Sequence, residues 1–230
     1  MRISDPRIIL ALDVDTIDEA RNFADALYPK INIFKVGSHL FTAYGPAVVE
    51  MLRQKGAEVF LDLKYFDIPN TVAKAVSAAV RLNIKMFTLH IAGGREMIEA
   101  AVESAKKEAD ARSIVRPMLI GVTVLTSSNA ASGDVLEMAA AGIDWGLDGV
   151  VCSAKEAEFL RGKIKKDFVI VTPGIRPDGH SGDDQKRVAT VSEAVKAGSD
   201  FLVIGRPVLK ADNPLAAAEG FLKDLTGLAG

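Results

Sequence analysis

Apolar residues fall along this chain in short runs. Eight of them, at residues 8–12, 31–36, 58–63, 86–91, 118–125, 149–152, 168–171 and 201–204, are rich in Val, Ile, Leu and Phe. Each is too short for a helix and none alternates strictly with polar residues, so each predicts a strand buried on both faces. The segments between them carry apolar residues at helical spacing. Over 17–27, Ile17, Ala20, Phe23, Ala24 and Leu27 form one stripe, and Asp15 or Thr16 stands ready to cap it. Over 71–82, Val72, Ala75, Val76, Ala79 and Val80 do the same. Helices are also expected over 47–54, 97–107, 133–141, 154–161, 191–197 and 207–225, with Gly56, Gly142, Gly162 and Gly198 at C-cap positions.

The strand starts lie 19 to 33 residues apart, the spacing of repeated strand–helix units. Eight strands alternating with eight helices predict an α/β fold, a single-domain (β/α)8 TIM barrel over residues 1–230. An open doubly wound sheet is the rival. No G-x-G-x-x-G follows the first run, which counts against it.

Composition narrows the partners. Hydrophobic residues make up 49% of the 230 and charged residues 25%, values of an ordinary globular protein rather than a disordered one. Thirty acidic residues against 28 basic ones leave a net charge of −2, with no electrostatic footprint for nucleic acid or an anionic membrane. No apolar run approaches the ~20 residues that span a bilayer. The start, Met1-Arg2-Ile3-Ser4-Asp5-Pro6-Arg7, does not read as a signal peptide. Cys152 is the lone cysteine, so an intrachain disulfide is impossible, and a cytoplasmic protein is expected.

In a barrel the C-terminal strand ends face the active site. Here they are charged: Asp13 after the first run, Lys35 in the second, Asp62 and Lys64 at the end of the third. A salt-bridge layer closing the barrel would explain one such residue more readily than four. If the third strand runs through Lys64, Asp62 and Lys64 face the same way. Asp67 follows in the loop, and after Pro69 either Asn70 or Thr71 can cap the next helix. A second cluster, residues 172–176, 179–185 and 204–207, lies after strands seven and eight. There barrels place a phosphate at a helix N-terminus, with Gly205 allowing close approach and Arg206 supplying charge. Residues 173–185, with three glycines, read as a mobile lid. His90 ends strand four and is equally well read as functional or as a hydrogen-bonded structural residue; His39 and His180 have weaker cases. No histidine or cysteine spacing suggests zinc, and each candidate carboxylate for magnesium has a lysine in the same array.

The segment DLKYFDIPNT at 62–71 resembles the signature of the orotidine 5′-monophosphate decarboxylase family. The resemblance continues through ALD at 11–13, FKVG at 34–37, VTVLTS at 122–127, DGVVCS at 148–153, TPGIR at 172–176, DQ at 184–185 and IGRP at 204–207, covering essentially the whole chain. It implies a dimeric barrel that makes UMP and CO2 from orotidine 5′-monophosphate with neither metal nor organic cofactor. Carried over by position, Lys64 would protonate C6 of the pyrimidine and Asp62 would face the substrate carboxylate. Lys35 would bridge the ribose and an aspartate, and Asp13 would contact the ribose. Asp67 and Thr71 would reach the neighbouring subunit's site. Thr126, or Ser127 beside it, would touch the pyrimidine. Gln185 would span base and phosphate, Gly205 and Arg206 would hold the phosphate, and Arg176 matches the arginine of the lid. Two rivals are a magnesium-dependent barrel acting on a sugar phosphate and a non-catalytic phosphate-ligand binder. The IPNT continuation counts against the first, and the Asp62–Lys64 pair against the second.

Overall fold

The structure is a computed structural model, and it describes residues 7–124, 132–178 and 188–228. The strands are β1 (Arg7–Ala11), β2 (Ile33–Gly37), β3 (Glu58–Tyr65), β4 (Met86–His90), β5 (Met118–Val122), β6 (Gly149–Val151), β7 (Val169–Thr172) and β8 (Phe201–Ile204). All eight pair in parallel, each with its sequence neighbours, and β1 closes on β8 through four residue pairs from Arg7↔Phe201 to Leu10↔Ile204. The barrel expected from the sequence is therefore formed, and the open sheet is excluded.

Between the strands lie α1 (Ile17–Leu27), α2 (Ser38–Tyr44), α3 (Pro46–Gln54), α4 (Pro69–Arg81), α5 (Gly94–Arg112), α6 (Ser132–Asp144), α7 (Ala154–Lys163) and α8 (Val191–Lys196), and after β8 come α9 (Arg206–Leu209) and α10 (Pro214–Thr226). Two differ from the expected pattern in number. The β2–β3 connection holds two helices because Gly45, at φ +56°, ends α2 and Pro46 starts α3. α2 has seven residues and buries only Leu40, too little periodicity to detect from sequence. The helix expected over 207–225 is broken: α9 is a single turn, and α10 restarts where Asn213 accepts a hydrogen bond from the Ala216 N–H.

Caps also refine the reading. Thr16, not Asp15, caps α1, in a reciprocal box with Glu19. Neither Asn70 nor Thr71 caps α4. That helix begins earlier, with Ile68 at the cap and Pro69 in its first turn, where a missing N–H costs nothing. Gly56 and Gly198 sit just past α3 and α8 in the left-handed region, as expected. Gly142 and Gly162 instead lie inside α6 and α7. At Gly142 the reason is packing, since a Cβ there would stand 2.9 Å from both Ile91 and Leu147.

Alternation along each strand divides the apolar residues between two cores. Ile9, Ala11, Ile33, Phe60, Met86, Ile120, Val169, Val171, Phe201 and Val203 fill the barrel. Their neighbours, such as Leu10, Phe34, Leu61, Phe87 and Leu202, pack under the helices. Full burial of each such side chain stabilises the fold by ~1.5–3 kcal/mol.

The N-terminal end of the barrel carries the structural ion pairs. Glu58 accepts from Arg7 and Lys85, each at 2.7 Å. Arg116 grips Asp148 with two hydrogen bonds, of 2.6 and 2.9 Å. Asp200 pairs with Arg161 and accepts from the Ile170 N–H at 2.6 Å. Arg161 also donates to the carbonyls of Gly198 and Phe168 and lies over the Phe168 ring, 4.5 Å from its centre. Asp200→Ala removes the carboxylate that matches this largely buried guanidinium. The substitution should cost about 3–5 kcal/mol, the range for breaking one side of a buried pair, as a lower midpoint in urea unfolding. A midpoint equal to that of the wild type would contradict this account.

Candidate active site

The next inward positions above the barrel core are polar. Following Ile9 and Ala11 in steps of two gives Asp13, Ile33 leads to Lys35, Phe60 to Asp62 and Met86 to Thr88. These positions converge at the C-terminal mouth. Lys35 Nζ donates to Asp13 Oδ1 at 3.0 Å and lies 3.7 Å from Asp62 Oδ2. Lys64 Nζ lies 2.9 Å from each Asp62 oxygen. Charge therefore alternates through Asp13, Lys35, Asp62 and Lys64. Lys35 and Asp62 are nearly sequestered, at 13% and 14% side-chain exposure, while Lys64 at 36% reaches toward solvent.

Lys64 gets there by an irregular route. The β3–β4 register runs Leu61↔Phe87 and then Tyr65↔Leu89, so residues 62–64 arch opposite Thr88 alone. Lys64 has φ +52°, uncommon for a residue with a side chain. Its N–H donates to Thr88 Oγ1 at 2.9 Å, and Thr88 Oγ1 donates to Asp62 Oδ1 at 2.8 Å. Sequence reading missed Thr88. The available signal was a polar residue inside the apolar run 86–91, in phase with Asp62 and Lys35.

Beside the array lies a cleft of about 140 Å³, lined by Lys35, Asp62 and Lys64 together with apolar side chains that include Phe60, Val122 and Val203. A larger groove of about 480 Å³ runs outside the barrel between α4 and α5. There Glu108 is satisfied by Ser77, Arg81 and Arg112, so the chemistry points to the smaller cleft.

Burial alone would raise the Asp62 carboxyl, and this is the largest single influence on it. The nearby Lys35 and Lys64 charges, with hydrogen bonds from Lys64 and Thr88, outweigh it and hold the group below the usual carboxylate range. His90, half-buried at the end of β4 with the Phe66 ring edge-on at 5.6 Å, is shifted down by burial and by Lys64, against an opposing pull from Asp62. Tyr65 is pushed up to about 12 by burial.

Other expected residues are placed differently. Asp67 is exposed and accepts from its own Ile68 N–H at 2.7 Å; among the described residues it pairs with no lysine. Thr71 is exposed in the first turn of α4. Neither joins the array of its own chain. Gly205 closes beside Asp13: a Cβ there would sit 3.7 Å from Asp13 Oδ2. Arg206 opens α9, so the helix start expected to hold a phosphate is a four-residue turn. Arg176 is buried, with Nη1 donating to the Ile175 carbonyl at 3.0 Å, and Ile175, near the start of the expected lid, bridges to Ala189 beyond its end. Thr126, Ser127, His180 and Gln185 lie outside the described residues, as does the part of the expected lid from 179 to 185. Among the described residues no three His, Cys, Asp or Glu side chains group as metal ligands, and no helix is long and apolar enough to cross a membrane.

A family model described as orotidine 5′-phosphate decarboxylase / HUMPS matches residues 6–221. The chain belongs to this family. Relatives named orotidine 5′-phosphate decarboxylase include one from Geotalea daltonii, 46% identical over 230 residues and covering 95% of each chain. One from Trichlorobacter lovleyi is 48% identical, covering 93% of this chain and 92% of its own. The crystal structure of orotidine 5′-phosphate decarboxylase from Lactobacillus acidophilus superposes with a TM-score of 0.84 at 35% identity, over 96% of this chain and 99% of that one. Family membership therefore rests on the full barrel, not on the β3 segment alone.

The depressed Asp62 carboxyl has a consequence for stability. A carboxyl lowered on folding contributes stability that is fully present above its unfolded value, ~3.9, and is lost as pH falls through the lower folded value. The difference in unfolding free energy between the wild type and Asp62→Asn should thus stay flat from neutral pH down to about pH 5 and narrow only in more acidic solution. Urea unfolding across that series checks it; narrowing between pH 7 and 6 would contradict the shift.

Proposed function

We propose that this protein decarboxylates orotidine 5′-monophosphate to UMP and CO2, the last step in de novo synthesis of UMP, as one barrel domain working in the cytoplasm. The observation that carries the reading is the alternating Asp13–Lys35–Asp62–Lys64 array at the barrel mouth of a chain in this family. Loss of CO2 from C6 leaves an electron pair in the ring plane, where the π system cannot spread it. The site must answer that charge electrostatically. The Lys64 ammonium, fixed on both Asp62 oxygens, is a preorganised counter-charge and then gives its proton to C6. Asp62 faces the departing carboxylate, and their repulsion is relieved as CO2 leaves. Lys35 holds Asp62 and Asp13 together, leaving Asp13 to meet the ribose hydroxyls. With two cations and two anions the array is neutral before substrate arrives.

Gly205, beside Asp13, and Arg206 after it take the phosphate in this reading, with Arg176 and Gln185 at the lid; Thr126 or Ser127 meets the base. The reaction needs neither metal nor organic cofactor. The active unit is a homodimer. Supporting this, Asp67 stands away from its own chain's array, between Phe66 and Ile68, which are 62% and 66% exposed. Asp67 and Thr71 would then complete the partner's site.

Mixing the enzyme with orotidine 5′-monophosphate should give the ultraviolet change of UMP formation, undiminished by EDTA. Lys64→Ala should lose at least ~10²–10⁴-fold in kcat while still binding UMP. No turnover by the wild type would refute the proposed activity, and a Lys64→Ala enzyme within about tenfold of wild type would refute the proton donor.

Sharing of sites across the dimer has its own test. Lys64→Ala and Asp67→Ala homodimers each carry two defective sites. In a hybrid, both lesions fall in one site and the other is whole. After dissociation and random reassociation about half the dimers are hybrids, so activity should return to about a quarter of wild type. If Asp67 serves its own chain, mixing restores nothing.

A further inference from the structure

We propose that Thr88 is a positioning residue whose single hydroxyl sets both the backbone of Lys64 and the carboxylate of Asp62. The inference rests on reading those two as the reacting pair. Thr88 is fully buried on β4, in the inward phase of Met86. Its hydroxyl has one proton to give and lone pairs to accept with. The Lys64 N–H can only donate to it, and the ionised Asp62 carboxylate can only accept from it. The orientation of the hydroxyl is therefore fixed by its two partners.

The register explains why one side chain has this position. Three residues of β3, 62–64, stand opposite one residue of β4, and that residue is Thr88. In an unbroken ladder the Lys64 N–H would find a β4 carbonyl. Here it finds the Thr88 side chain instead, and Lys64 takes a left-handed backbone. A left-handed residue with a side chain persists only where its surroundings over-determine it. At Lys64 two such restraints are visible, the N–H bond to Thr88 below and the Nζ bonds to Asp62 above. Thr88 also holds the carboxylate on which Nζ rests, so the lysine is anchored at both ends through one oxygen atom. Thr88 does not line the cleft, so it acts through Asp62 and Lys64 rather than on substrate.

Three kinds of variant test this. Thr88→Val keeps the shape and removes the hydroxyl; Thr88→Ser keeps the hydroxyl; Lys64→Ala and Asp62→Asn report on the reacting pair. Thr88→Val should lower kcat by ~10²-fold, the scale of a small misplacement, with KM for orotidine 5′-monophosphate within about threefold of wild type. Thr88→Ser should recover kcat to within about fivefold of wild type. In Thr88→Val the acid limb of the kcat profile should also move to higher pH, because Asp62 loses one donor. The charged and titratable groups around Asp62 are otherwise the same in the variant: Asp13 beyond β1, Lys35 on β2, Lys64 on β3 and His90 on β4; a Lys64 displaced from the carboxylate moves the limb in the same direction. Should Thr88→Val not fold, Thr88→Cys, similar in size with a weaker donor, is held to the same criteria. If Lys64→Ala and Asp62→Asn are inactive while Thr88→Val turns over within about threefold of wild type, the positioning role is overturned and the pair stands. Equal losses in Thr88→Val and Thr88→Ser overturn it too, since shape rather than the hydroxyl would then matter. If Lys64→Ala and Asp62→Asn themselves remain active, the reading of the pair fails, and this inference with it.

Discussion

Closing eight parallel strands into a barrel leaves each strand with no solvent face along most of its length. Every inward residue is shut in by the opposite wall and every outward one by a helix. Ile9 and Leu10, adjacent in β1, are both fully buried, one in each core. Charged side chains can therefore point inward only toward the rims, where water, a ligand or a neighbouring charge can satisfy them. The positions of Asp13, Lys35, Asp62 and Gly205 follow from this constraint, since each lies two residues beyond an apolar inward neighbour.

The two rims use charge differently. At the N-terminal rim Glu58, Asp148 and Asp200 are each met by arginine or lysine in hydrogen-bonded contact, and the latter two also accept a strand N–H. That layer orders strand starts. At the C-terminal rim the groups form an open chain with Asp13 at one exposed end and Lys64 at the other. The chain is neutral as a whole, yet each end can meet a substrate. A layer of ion pairs does close this barrel, at the end opposite the candidate active site.

Lys64 shows what this arrangement costs. A left-handed residue at a strand end carries strain of ~1–3 kcal/mol, and three residues of β3 forgo regular pairing with β4. Thr88 offsets part of that loss by taking the free N–H. The arch turns Lys64 toward Asp62 rather than leaving both to the regular pleat, so the agreement with simple strand alternation is partly fortuitous. The side chains do meet, but through a backbone irregularity.

The alternation of apolar runs and helical stripes was enough to predict eight strand–helix units and to favour a barrel, because a strand buried on both faces and an amphipathic helix differ in period and length within a few residues; the pairing of β1 with β8 is what closed the sheet. It was enough also to mark Asp13, Lys35, Asp62 and Lys64, because charge at the end of an apolar run is costly without a purpose. What the tertiary structure decided depends on contacts between distant segments. The split of the last helix, the extra helix before Pro46 and the cap of α4 turn on local backbone angles that several residue types allow. Thr88 is 24 and 26 residues from its partners Lys64 and Asp62, and only the β3–β4 register brings them together. A lone threonine in an apolar run carries no sign of which N–H it will receive; that is settled when the strands pair out of step.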